Sequence, residues 1–453
     1  MSPQNTASDS PLFIRGGRLF DPDLGLMRPV GAISIVGDRI VEVSEAGGVL
    51  SPPTGATVIE AKGKWIIPGL IDAHVHLVHV LRDLGITGDE VFPLFLTNGI
   101  TTLRDVGDEL TAQKLLLNHS ETHPESSPRL FMSSPLIEGA HPYHPHVSES
   151  LTDVDQVPEF IRAMDRAGVQ TIKLYTSVGR PVGRAVIREA HRRGKWVTAH
   201  LQWSYRAQDA IADGVDSLEH TESLLEFILP PGSPRWPELH QRPGIPADEL
   251  AAMERQLLEI KADLDLDHPR VTALIESLVR HDVAVTPTLV VYRNWVLLRD
   301  LPEVQQHPDL QLLPERMREG WLKMVASAPL PAATRELRRR QYDKLGELTA
   351  RLYRAGVTLM VGTDTPVPRC PPGLSMHQEF ELLVEAGVPP AAVLTGATRN
   401  AAKALNQSDQ LGSIAAGKLA DLVILDADPL SDIRNTRKIH QVIRSGMVVD
   451  RDY

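Results

Sequence analysis

Between residues 169 and 220 the chain alternates strand and helix patterns without interruption. Apolar strand-like runs at 169–176, 196–201 and 215–220 are separated by helical spacing at 182–193 and 204–213. Gly168, Gly194 and Gly214 each stand between a helical pattern and the next strand, where a helix commonly stops in a left-handed residue. Such alternation signals parallel βα units. Similar strands are read at 66–76, 100–106, 130–137, 283–291 and 357–364, which makes eight, the number a closed (β/α)8 TIM barrel needs.

The two ends have a different texture. Residues 12–66 carry short apolar or alternating runs at 12–14, 31–36, 40–43 and 57–60, and the last forty residues return to it at 420–425 and 442–449. Chain ends often meet at a surface, so the expectation is a small discontinuous β-sandwich domain built by both. The division read from sequence is a disordered tail at 1–11, β domain at 12–66, metal-dependent barrel at 67–405, and β domain again at 406–453. Long inserts at 221–281 and 293–355 exceed ordinary barrel loops and are candidates for lids or subunit contacts. The first holds a helical pattern with Leu250, Met253, Leu257 and Ile260 on one face.

Composition narrows the function. Lys plus Arg number 47 against 58 Asp plus Glu, a formal net charge of −11, and no basic block occurs. That argues against a nucleic-acid backbone as partner, because such binding draws on clustered positive charge. Cys370 is the only cysteine, which excludes an intrachain disulfide and a cysteine-based structural zinc site. The first ten residues lack a cationic start and an apolar stretch, and no 18-residue apolar run occurs. The expected setting is cytoplasmic, with a small-molecule substrate, a homo-oligomer as the fitting assembly, and neither nucleic acid nor membrane as partner.

The chemistry concentrates at strand ends. His74 and His76 close the first barrel strand, and residues i and i+2 of a strand point to one face. A second pair, His144 and His146, lies among Pro142 and Pro145 and belongs in a loop. His200, His220 and Asp364 close three further strands, and in a barrel all such ends converge on one mouth. Lys173 lies inside an apolar strand, where a charged amine is costly unless neutralised or paired. Either it forms a salt bridge at the mouth, or desolvation keeps it neutral so that it takes up carbon dioxide as a carbamate. Four imidazoles and two anionic oxygen groups suit two zinc ions.

His74-x-His76, Lys173, His200, His220 and Asp364, in that order on a barrel flanked by a split β domain, resemble the amidohydrolase superfamily. The segments 67–74, 99–105 and 412–421 look most like its imidazolonepropionase-like and prolidase-like branch. The resemblance implies that His74, His76 and Asp364 hold one metal, His200 and His220 a second, and carboxylated Lys173 bridges two Zn2+ per chain. It further implies a binuclear amidohydrolase in which a metal-bridging hydroxide attacks an amide (C–N) bond. Asp364 would carry the water's proton to the departing nitrogen, a catalytic acid–base role. Expected substrates are a dipeptide, an N-acyl amino acid or an amide xenobiotic.

Substrate contacts are expected from His144 in the loop after the third strand, from Tyr175 on the face of Lys173, from Gln202 on the face of His200, and from Tyr292 after the seventh strand. Prolidase-like relatives often carry Tyr at the position of Gln202, which counts against recognition of a dipeptide carboxylate there. Cys370 has no evident base partner, and His377 reads as structural. Two other readings remain: a mononuclear cyclic-amide hydrolase or deaminase like imidazolonepropionase, and a scaffold without activity. Leu201, Gln202 and Trp203 after His200 lack the Glu that related deaminases commonly carry there, and the intact ligand positions oppose the scaffold.

Overall fold

The computed structural model describes residues 10–48, 50–201, 204–234, 245–297, 308–325 and 331–451. Gln202, Trp203 and the expected tail up to Asp9 lie outside these residues.

Eight parallel strands form a closed ring. The first, Leu70–Val75, pairs with Ile100–Asp105, which pairs with Arg129–Phe131. The third strand resumes as Leu136–Glu138 and joins the fourth, Thr171–Leu174, through Ser133 opposite Thr171 and Ile137 opposite Leu174. The fifth, sixth and seventh, Trp196–Ala199, Ser217–Glu219 and Ala284–Thr286, follow in register. Residues 357–365 close the circle by single bonds: the Val285 amide donates to the Thr358 carbonyl at 2.9 Å, and the Ala73 amide to the Val361 carbonyl at 3.0 Å. The first, second and fourth strands are buried along their whole length, as strands must be when a ring encloses one face and helices cover the other.

The crossover helices Arg180–His191 and Ala207–Asp213 lie where helical spacing placed them, within three residues. Gly168, Gly194 and Gly214 have φ of +80°, +63° and +99°, the expected left-handed stops. The seventh strand is shorter than its sequence suggests. It ends at Thr286, and after Pro287 and a left-handed Thr288 the residues Leu289–Val291 turn into a helix, so the expected strand at 283–291 is corrected there. Pro287 carries no amide hydrogen with which to continue a ladder.

The chain ends build one nine-stranded sheet. Trp65–Pro68 lies antiparallel to Leu422–Leu425 and parallel to Arg18–Asp21, which joins the two ends of the sequence. The long strand Leu26–Val36 pairs with Arg18–Asp21 through its first residues and with Leu12–Arg15 and Arg39–Glu45 through its later ones. Leu12, Ile14 and Ile33 from one half of the sheet and Ile66, Leu422, Ile424 and Ile443 from the other share a single core, so the sheet doubles over into a sandwich. The chain passes from this sheet to the barrel at Gly69 without a linker.

Both inserts are helical in their described parts and pack on each other. Helix Ala247–Ala262, which buries Leu257 and half-buries Leu250, Met253 and Ile260, lies along the helix Ala332–Arg354. Arg340 pairs with Asp263 at 2.9 Å and Arg351 with Asp267 at 2.8 Å. No described helix is long and apolar enough to cross a membrane.

Candidate metal centre

His74 and His76 project from the end of the first strand as their spacing dictates, and the last barrel strand carries Asp364 to meet them. Asp364 Oδ1 is 3.3 Å from the Nε2 of each histidine. This approach requires the last strand to lie almost against the first: a Cβ added at Gly362 would stand 2.6 Å from His74 Cβ and 2.8 Å from Thr286 Cγ2. Asp72 fastens the same two strands, accepting from Thr363 Oγ1 at 2.6 Å and from the Thr363 amide at 3.0 Å.

The other expected ligands come to the same place. The His220 ring lies 4.7 Å from His74 and 4.4 Å from His200, centroid to centroid. The Lys173 amine and His200 Nε2 are buried without a hydrogen-bond partner. Thus the structure brings His74, His76, Lys173, His200, His220 and Asp364 together at the carboxyl end of the strands. Two of these residues leave ordinary backbone geometry, His220 and Asp364 with φ of +66° and +56°, and so does Thr288 in the loop after the seventh strand, with φ of +51°. Each such residue costs about 1–3 kcal/mol and persists only where its surroundings enforce it, a pattern typical of functional sites.

Hydrogen bonding fixes which nitrogen His74 and His76 offer. His74 Nδ1 contacts the Glu219 carboxylate at 2.7 Å, His76 Nδ1 the Gly107 carbonyl at 3.2 Å, and His220 Nδ1 the Thr288 hydroxyl at 2.7 Å. A carboxylate and a carbonyl can only accept, so His74 and His76 carry their protons on Nδ1 and turn Nε2 lone pairs toward the mouth. This is the outer bonding that orients imidazole ligands of metals.

Electrostatics agree. Burial holds His76, His200 and His220 below the usual imidazole range, His220 at about 3, so all three are neutral ligands at neutral pH. Burial alone would raise the Asp364 carboxyl, but His74, His220 and His76 outweigh it and keep Asp364 ionised. Burial likewise opposes a charge on His74, yet Asp364 and Glu219 draw a proton toward it, and the same anionic field attracts a cation. Burial pushes Lys173 down to about 8 despite the opposing charge of Glu219. Inward lone pairs, an ionised carboxylate and an orphaned buried amine fit metal ligation and leave little else that would satisfy them. His76, His79 and Asp108 form a second group with donor atoms within 4.8 Å. His76 has only its Nε2 to give, so this group and His74, His76 and Asp364 compete for one ligand and are alternatives.

Glu219, Arg104 and Thr288 carry roles that sequence reasoning missed. Glu219 joins His74 to Arg104, whose Nη2 donates at 2.8 Å, and also accepts from the Thr198 hydroxyl. Arg104 and Glu219 are fully buried charges in apolar strands. The argument applied to Lys173, that such a charge needs a partner, would have found both.

The expected substrate residues are distributed around the mouth. Tyr175 stacks edge-on to His200 at 4.9 Å, and His144 lies 5.8 Å from Tyr175, centroid to centroid. The loop bearing His144 is anchored by buried Glu138, which accepts from the Tyr143 amide at 2.7 Å and the Ser177 hydroxyl at 2.6 Å. Tyr292 is half-buried, its hydroxyl 3.5 Å from Glu222. Burial pushes the Cys370 thiol well up, which suits an inert core residue. His377 bonds Thr436 Oγ1 at 2.9 Å and the Asn98 carbonyl at 3.0 Å, a structural role.

Residues 65–449 match the model of the amidohydrolase family. The imidazolonepropionase of Stenotrophomonas maltophilia is 24% identical over 434 residues, covering 90% of this chain and 89% of that one. Higher identity occurs over short stretches: the chain spans 20% of the imidazolonepropionase of Aromatoleum aromaticum, at 39% identity, and 16% of a dihydroorotase of Trichlorobacter lovleyi, at 42%. Among solved structures, bottromycin amidohydrolase superposes with a TM-score of 0.72 at 24% identity, over 98% of this chain and 87% of that one. A Xaa-Pro dipeptidase with bound methionine superposes with a TM-score of 0.67 at 21% identity, over 97% and 100%. These likenesses extend the barrel and its end sheet to enzymes of known architecture. The chain belongs to the amidohydrolase family.

Proposed function

We propose that the protein is a binuclear metal-dependent amidohydrolase that cleaves the amide bond of a small acyclic substrate such as a dipeptide, an N-acyl amino acid or an amide xenobiotic. The observation that carries this reading is the convergence of four imidazoles, ionised Asp364 and the unpartnered Lys173 amine on one space. His74, His76 and Asp364 would hold one divalent cation, zinc by the donor set, and His200 and His220 the other. Bound there, the cations would lower the pKa of water toward about 7 and polarise the substrate carbonyl.

Carboxylated Lys173 would supply an anionic oxygen ligand to the cations. Its neutral amine would add to the carbon of carbon dioxide, an N–C bond forming as one C–O π bond opens to an oxyanion, with one amine proton passing to solvent to leave a carbamate. Burial favours the neutral amine.

Asp364 moves the proton. Its carboxylate is ionised and its side chain 14% exposed, so it can take a proton from the attacking water and release it to the departing nitrogen as that bond breaks. Glu219 fixes the His74 ring, Gly107 the His76 ring and Thr288 the His220 ring, so no ligand must reorganise during turnover. Tyr175 and His144 line the approach and contact the substrate's flanking groups, with Tyr292 and Gln202 assigned to the same role from their sequence positions.

A second reading is a mononuclear enzyme opening a cyclic amide, favoured by the tight grouping of His74, His76 and Asp364 and by the similarity to imidazolonepropionases. A panel of dipeptides, N-acyl amino acids, lactams and esters tests both. Turnover of an acyclic amide, abolished by chelation and restored by zinc, is the expected result. Turnover of cyclic amides alone would favour the second reading, and no amide hydrolysis by the zinc-loaded protein would overturn both.

A further inference from the structure

Glu379 lies in the middle of the helix Leu374–Glu385, fully buried and outside the ligand set. Its two oxygens reach across to the loop after the seventh strand, one to each of two backbone amides. Leu289 N donates to Oε1 at 3.0 Å and Val290 N to Oε2 at 2.7 Å. These amides open the short helix Leu289–Val291, whose preceding residue is Thr288.

A threonine at that position ordinarily caps the helix with its own hydroxyl, which accepts from an amide two or three residues on. Thr288 does not: its side chain makes no cap bond, and its hydroxyl lies 2.7 Å from His220 Nδ1 instead. The amide groups nearest the helix start would be orphaned by this choice, and buried orphan amides are costly. The Glu379 carboxyl group, pushed up to about 8 by burial, takes the place of the missing cap. The same helix grips the loop a second time, since Asn294 Nδ2 donates to Gln378 Oε1 at 2.8 Å, and the turn before the helix adds the Arg369 carbonyl, which accepts from Asn294 Nδ2 at 3.0 Å.

We infer that Glu379 is a positioning residue: by binding the two amides that follow Thr288, it fixes the loop after the seventh strand so that the Thr288 hydroxyl holds the His220 ring. This rests on the reading of His220 as a metal ligand. Without Glu379, the Leu289 and Val290 amides are left unpaired, the left-handed backbone at Thr288 is no longer held, and His220 loses the bond that fixes its ring.

The test compares Glu379→Ala, Glu379→Gln, Thr288→Val, Thr288→Ser and the double variant Glu379→Ala/Thr288→Val in the full zinc-loaded chain. Zinc affinity, kcat and KM, backbone amide exchange at Leu289 and Val290, and the 15N shifts of the His220 ring are measured. Glu379→Ala and Thr288→Val should each weaken zinc at the His220 site by about 10–100-fold, the usual cost of losing an outer partner of a ligand. They should also lower kcat more than they raise KM. Thr288→Ser should keep the wild-type values, and the double variant should be no more than about twofold worse than either single, because both changes break one chain of contacts. Amide exchange at Leu289 and Val290 should accelerate in Glu379→Ala but not in Thr288→Val.

A Glu379→Ala protein with accelerated exchange but zinc affinity and His220 ring shifts within about twofold and measurement error of wild type would overturn the inference, as would multiplying losses in the double variant. If Glu379→Ala fails to fold, Glu379→Gln decides: it keeps one acceptor and should give an intermediate zinc affinity, and a wild-type value would again refute the idea. Should the wild-type chain cleave no amide, that counts against the proposed function, while the ring shifts and amide exchange still decide the role of Glu379.

Discussion

Replacing Glu219 by Gln removes a charge from the most constrained point of the barrel. The carboxylate meets His74 Nδ1 at 2.7 Å and Arg104 Nη2 at 2.8 Å, and it accepts from Thr198 as well. Both charged partners are fully buried, so water cannot replace what is lost. A glutamine has one acceptor oxygen, and its amino group must face either Arg104 or the Nδ1 proton of His74, donor against donor. Removing one member of a buried ion pair costs about 3–5 kcal/mol, chiefly through the charge left behind. Arg104 keeps its bond to the Ala73 carbonyl at 2.6 Å, so the lower part of that range is expected. His74 would also lose its fixed orientation, with a further loss of about 10–100-fold in zinc affinity.

Urea denaturation followed by fluorescence, together with zinc titration against a chromogenic chelator, measures both effects. The pH dependence provides an independent check. Arg104 and His74 outweigh burial and hold the Glu219 carboxyl well below its ordinary value, so its folded pKa is depressed. Its stabilisation is therefore present above about pH 4.3, the unfolded value, and is lost as pH falls toward the folded value. The wild-type protein should lose stability over that acid range more steeply than Glu219→Gln. A variant within about 0.5 kcal/mol of wild type, the ordinary scatter of surface changes, with unchanged zinc affinity would refute the reasoning.

Lys173→Ala should lose most activity and regain part of it with short carboxylates, which can occupy the space of the carbamate; full activity without them would exclude a bridging role. Because burial pushes the Lys173 amine down to about 8, reactivation of decarboxylated protein at a fixed concentration of dissolved carbon dioxide should quicken between pH 7 and 9 as the neutral amine accumulates, and a rate independent of pH would contradict this. Gly362→Ala should destabilise the fold by about 1–3 kcal/mol or more and lower zinc affinity, since its Cβ would press on His74 at 2.6 Å; unchanged thermal melting would show that the first and last strands can separate.

The ligand set was legible because strand periodicity is local. His74 and His76 share a face by spacing alone, and His200, His220 and Asp364 each close an apolar run whose length and flanks mark it as a strand. Lys173 was legible for a second reason, the cost of a cation in such a run. Glu219 and Arg104 satisfied the same criterion and were passed over, since neither ends its strand with a ligand-type imidazole. The early end of the seventh strand was legible only in Pro287, which cannot continue a ladder; the hold on the turn that follows was not, since Glu379, some 90 residues further along, reaches the amides of Leu289 and Val290 and no local pattern encodes that contact. The surroundings of the proposed substrate residues were the least legible, because His144 and Tyr292 sit on loops held by Glu138 and Glu222 from other elements.

Six side chains from five barrel strands are proposed to form one site for two cations. Zinc content of the desalted wild-type and Lys173→Ala proteins, measured by plasma mass spectrometry, decides this. Close to two ions per wild-type chain are expected, falling to one or fewer in the variant. A wild-type chain that saturates at one ion, with no change on removing Lys173, would rule the paired site out.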